Sequence, residues 1–144
     1  MPVPTRFWEA TRGRTFVGRL ATGTDVAEEI ERTCAEQGIL AAEVTVLGAV
    51  SHAAYAYYQH DEQRYLELSS DEHSELSGWV GNVSMRDGKP FLHAHCTFAS
   101  ATGETVSGHL LHGTIAFVAE VIITEWTDIS LVRTHDETTG LALW

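Results

Sequence analysis

The chain has 144 residues, 44% apolar and 20% charged, which fits one folded domain and excludes a disordered polymer. Twenty acidic residues against nine basic ones leave a formal net charge of −11, and Lys89 is its one lysine. Neutralising phosphates takes clustered Lys and Arg, so the balance argues against duplex DNA binding by the chain alone.

The opening "MPVPTRFWEA" lacks an apolar signal core, and no apolar run approaches the ~20 residues of a membrane span. Cys34 and Cys96 show no C-x-x-C spacing and read as buried thiols. The expectation is a cytoplasmic protein without a membrane partner.

Along the chain, "TFVGRLA" (Thr15 to Ala21) reads as a first strand and "TGTD" as a turn. Asp25 with Glu28 has the spacing of a capping box, Val26, Ile30 and Cys34 recur at helical spacing, and Gly38 suits a helix end. One amphipathic helix is therefore predicted from Asp25 to Gln37. The texture then turns to β. Strands are predicted at Ala41 to Val50, Ala53 to Tyr58, Tyr65 to Ser70 and Glu75 to Met85. The Asp-Gly of "RDGK" (Arg86 to Lys89) is a hairpin signal, followed by strands at Phe91 to Phe98, Thr105 to Leu111, Phe117 to Trp126 and Ile129 to Arg133. The tail "THDETTGLALW" ends in apolar residues that should dock. Short strands with one good helix indicate an antiparallel-rich α+β fold, and no internal repeat or linker divides residues 1–144, so a single domain is expected.

"FLHAHCTF" (Phe91 to Phe98) carries the chemistry. In a strand, Leu92, Ala94, Cys96 and Phe98 share an apolar face, while Phe91, His93, His95 and Thr97 share the other. A hairpin through "ASATGE" that pairs Phe98 with Val106 sets Cys96 opposite Gly108, Ala94 opposite Leu110, Thr97 opposite Ser107 and His95 opposite His109. Three imidazoles on one face form a candidate His₃ metal site with an open position. A slip of one residue would put His109 on the other side. The alternative is an ordinary polar strand surface. His112 has the opposite parity. As neutral imidazoles bind metal and protonated ones do not, occupancy is expected to fall as pH drops through about 6.

The stretch "GNVSMRDGKPFLHAHCTFASATGETVSGHL" (Gly81 to Leu110) resembles the plants-and-prokaryotes conserved domain. Gly81-Asn82, Asp87-Gly88-Lys89-Pro90, His93-x-His95 and Gly108-His109-Leu110 carry the likeness. "EQGILAAEVTVLGAV", Glu75-Leu76, "AEVIITE" and the closing tail extend it over about Arg14 to Leu143. The resemblance implies an α+β domain with a central antiparallel sheet and one main helix, assembled as a homotrimer. It also implies that His93, His95 and His109 match positions at which some prokaryotic members hold a divalent metal, usually zinc. Prokaryotic members often carry a DNA-binding label, and in plants the domain follows an Arg-Gly-Arg-Pro minor-groove hook. Here Arg12-Gly13-Arg14 is followed by Thr15 and reads as the domain's own start.

Two readings follow. One is a stand-alone trimeric assembly or regulatory module that works by protein–protein association, alongside DNA-bound partners. The other is a metal-dependent enzyme or small-ligand binder at the His93/His95/His109 face, with Glu75, Glu120 or His112 as a base and Glu75, Asn82 and Ser107 as supporting groups around the ligands. No nucleophile motif or phosphate loop accompanies them, and no catalytic residue is assigned.

Overall fold

Asp25 starts the helix as anticipated: in the computed structural model, which describes residues 2–144, its carboxylate accepts the Glu28 amide at the head of α1 (Val26–Gln37). Gly38 ends it at φ 68°, a left-handed position, and its amide donates to Ala35 and Cys34 carbonyls. Val26, Ala27, Ile30 and Cys34 are the buried stripe of the helix.

The strands are β1 (Thr11–Leu20), β2 (Ala42–Gln59), β3 (Arg64–Ser70), β4 (Ser74–Arg86), β5 (Lys89–Ala99), β6 (Thr105–Leu110), β7 (Ile115–Thr127), and a small pair, β8 (Thr134–His135) and β9 (Ala142–Leu143). The main sheet is antiparallel, seven-stranded, in the order β1-β7-β2-β4-β5-β6, with β3 on the far half of β2. Asp87 and Gly88, both at positive φ, make the tight β4–β5 turn.

Two differences from the expected elements matter. The segments predicted as separate strands at Ala41 to Val50 and Ala53 to Tyr58 are one strand, β2. Register shifts around Val50 against β7 bend it without breaking it. Its first half pairs β4 and β7, its second half β3 and β6, so the sheet curls and closes on itself through β2–β6. Ile129 to Arg133 is not a strand. There Val132 makes an isolated bridge to Met85, Leu131 is buried, and the segment lays Arg133 beside β4 and β5. The tail does dock: Ala142–Leu143 pairs with Thr134–His135, and Trp144 packs edge-on to Trp8 at 6.0 Å.

The core joins α1 to one face of the sheet. Val26, Ile30 and Cys34 cluster with Val44, Val46 and Val50 of β2, Leu92, Ala94, Cys96 and Phe98 of β5, and Val121 and Ile123 of β7. Cys34 and Cys96 are both free and buried. The alternate residues of β5 therefore face away from the core, which is what places the histidines.

Candidate metal centre

The predicted register holds. His95 lies opposite His109, Cys96 opposite Gly108, Thr97 opposite Ser107 and Phe98 opposite Val106. The β5–β6 ladder then ends, and β6 crosses onto β2, with Leu110 opposite Tyr55 rather than Ala94. That crossing is close: a Cβ on Gly108 would sit 2.6 Å from the Ala56 carbonyl oxygen. Gly108 lets β6 approach β2 and aims the next residue, His109, at its partners.

One nitrogen from each of His93, His95 and His109 lies within 4.8 Å of the others. His93 Nε2 and His95 Nε2 are 3.3 Å apart. Two nitrogens at ordinary zinc distances and a tetrahedral angle lie ~3.3 Å apart, so this pair is spaced as ligands of one ion. His109 Nδ1 is buried with no hydrogen-bond partner among the described residues, a polar atom in want of one. Burial is the main cause that lowers both His93 and His109 to about 4, with the Arg133 charge second for His93 and that of His95 second for His109. Both rings are therefore neutral at physiological pH, the form that binds metal. The donor set fits a divalent cation with three protein ligands.

The surroundings hold residues that no local sequence pattern announced. Tyr65 of β3 lies over His109 with ring centroids 4.9 Å apart. Arg133 donates through Nε to Ser84 Oγ at 2.7 Å and through Nη1 to the Ala142 carbonyl at 3.1 Å. Its Nη2 reaches Asn82 Oδ1 at 3.4 Å and His93 Nδ1 at 3.3 Å. A guanidinium only donates, so that contact makes His93 Nδ1 the acceptor and leaves the imidazole proton on Nε2, facing His95. Ligation through Nε2 moves the proton to Nδ1, where it meets an N–H, so the metal-bound form needs Arg133 Nη2 to turn from His93. Arg86 and Arg133 both stack on Phe91, at 5.2 and 5.4 Å from its ring centre. Tyr65, Arg86, Phe91, Arg133 and the three histidines line one cleft of about 1300 Å³.

Of the supporting residues named from sequence, Asn82 sits opposite His93 and holds Arg133, and Ser107 lines the cleft. Glu75 lies farther along β4, opposite Ala99. Glu120 sits on β7 opposite Leu47 and Arg19. Neither Glu75 nor Glu120 lines the cleft, whereas His112 does, engaged with Glu31 at 3.0 Å. Arg14 of the Arg-Gly-Arg stretch is tied to Glu125 and the Gln37 carbonyl within the domain.

Fold and site together define a class: a curled antiparallel sheet with one helix on its core face and a three-imidazole cluster on the other. Residues 8–127 match the Plants and Prokaryotes Conserved (PCC) domain, and the chain belongs to that family. A solved structure from Archaeoglobus fulgidus, described as a metal-containing protein, is 36% identical, with 97% of this chain and 99% of that one covered and a TM-score of 0.92. One from Pyrococcus horikoshii, described as a plant- and prokaryote-conserved protein, is 30% identical over 97% of this chain and 96% of that one, with a TM-score of 0.91. Among curated proteins, a bifunctional GlmU protein of a Synechococcus strain is 32% identical over 123 residues, 85% of this chain and 18% of that protein. The chain thus spans about a fifth of the length of the curated relatives it matches. Among the described residues, no helix is long and apolar enough to cross a membrane.

Proposed function

We propose that this chain is a metal-holding assembly module: a homotrimer in which His93, His95 and His109 of each protomer bind one divalent cation, zinc by the character of the donors. Its surfaces serve protein partners, and any association with DNA runs through them. The observation that carries the metal reading is the convergence of three imidazoles, two of them at the spacing of ligands to a common ion. The similarity to a protein described as metal-containing supports it. When bound, the cation would offer Lewis-acid chemistry at its remaining coordination position. This chain's residues hold the His93 and His109 rings neutral and fix His109 through Gly108 and Tyr65.

The trimer reading draws on apolar side chains left outside the core. Val17 faces Ile122 across β1–β7, Val80 faces His95 across β4–β5, and Val17 and Val80 are each 78% exposed. Such a surface is more apolar than an isolated domain needs to show.

The deciding experiment is elemental analysis of untagged protein, prepared with and without added zinc. One metal per chain is expected. Absence of stoichiometric metal in both samples would leave the histidines as a polar face and remove the reading. A second reading, a ligand-binding or catalytic protein at the same face, is favoured by the cleft beside the histidines, with His112 the one proposed base that lines it.

A further inference from the structure

Arg133 is a half-buried cation without a counter-ion. Its hydrogen bonds go to a serine, an asparagine, a backbone carbonyl and a histidine, and no carboxylate among the described residues pairs with it. A second guanidinium, Arg86, shares the ring of Phe91 with it. Among the described residues Arg86 pairs with one carboxylate, that of its chain neighbour Asp87, at 3.9 Å with 94% of the acid's side chain exposed, a weak pair. In a protein of net charge −11, two arginines and three imidazoles thus meet in one cleft; of the two acids that line it, Glu31 is engaged with His112 and the Leu92 amide, and Glu67 forms no ion pair with either arginine among the described residues. Burying charge without a partner is costly, and Arg133 is anchored there by Ser84, which is itself fully buried. Guanidinium groups held rigid with a donor to spare are suited to oxyanions. Arg133 has five N–H groups and four hydrogen bonds, so one donor on Nη1 remains.

We infer that the cleft beside the histidines is a receptor for a small oxyanion ligand, a carboxylate or a phosphate, with Arg133 and Arg86 as its charge partners and the Phe91 and Tyr65 rings as its walls. The inference goes beyond the metal reading and stands without it, since neither arginine is a metal ligand. In the metal-loaded protein the same ligand would also bring an oxygen close to the cation, and Arg133 Nη2, displaced from His93, would turn to the anion.

The test is calorimetric titration of inorganic phosphate and, separately, malonate into metal-free and zinc-loaded protein. Saturable one-to-one binding of either anion by the metal-free protein is expected; the stronger of the two tells a phosphoester ligand from a carboxylate one. Arg133→Gln should weaken it by about tenfold or more, and Arg86→Gln less. Arg133→Lys should restore part of it, and the remote Arg19→Gln should leave it unchanged. Arg86→Gln, at an exposed residue, keeps the test valid if Arg133→Gln fails to fold. The inference is overturned by absence of saturable binding at millimolar anion, by equal loss in Arg19→Gln, or by binding that needs zinc and ignores both arginines. Anion binding by a protein that takes up no zinc would leave this inference standing and sink the metal reading alone.

Discussion

His93 and His109 are the residues whose chemistry the fold changes most. Burial holds both at about 4, whereas an unfolded chain protonates imidazole near 6.5. Between those values the unfolded chain takes up protons that the folded one refuses. The metal-free protein should therefore lose stability as pH falls from about 6.5 toward about 4, with the contribution of these two groups fully recovered above that window. Thermal melts of wild type and a His93→Gln/His109→Gln double variant across this range check it, and the variant should show the shallower slope. The same shift revises the expectation that metal is released through about pH 6. Proton competition at these two ligands is displaced toward about 4, so occupancy should persist at pH 5. His95→Ala should abolish stoichiometric binding, because His95 neighbours His93 along β5 and His109 across it. His135→Ala, at a residue paired with Glu137 away from the cluster, should not. The thiols shift the other way. Burial raises Cys34 and Cys96 to about 12, so neither should react with a thiol reagent at pH 8 in the native state, and both should on unfolding.

At the scale of elements, two local devices set the architecture. Asp25 caps α1 and also accepts the Gly113 amide, tying the helix start to the turn before β7. Asp25→Ala should cost ~2 kcal/mol in denaturant unfolding, one cap and one orphaned amide, with metal stoichiometry unchanged. Gly108→Ala is the opposite case. Its methyl would press on the Ala56 carbonyl, so the β2–β6 closure must open and His109 must move. That variant should lose metal affinity more than Asp25→Ala does, even where it melts at a similar temperature.

For the whole molecule, the apolar outer side chains and the acidic balance make opposite statements about partners. Sedimentation equilibrium should give three chain masses for the wild type, and Val17→Glu should weaken the assembly without unfolding the protomer, because Val17 is far exposed and outside the core cluster. One chain mass for the wild type at micromolar concentration would remove the trimer. With net charge −11 and Arg14 held by Glu125, duplex DNA should bind weakly and lose what binding it has as salt rises.

The pieces whose information is local were legible in the residues alone. The capped helix follows from Asp25, the apolar repeat and Gly38, and the parity of β5 from alternation alone. The His95–His109 register is one supposition among those the hairpin allows, since a slip of two residues keeps the same faces, and the structure shows the supposed pairing. Tertiary structure decided the rest. Ala42–Gln59 is one bent strand because bulges against β7 let it change partners, and partners on distant segments leave no local pattern. Arg133 lies 40 residues from His93 in a segment whose apolar run looks like a strand, so its approach to the histidines depends on where β4 leaves room for the returning chain. Ligand atoms on adjacent strands are readable from period and pairing; the charge that faces them, brought by the segment between β7 and β8, is set only by packing.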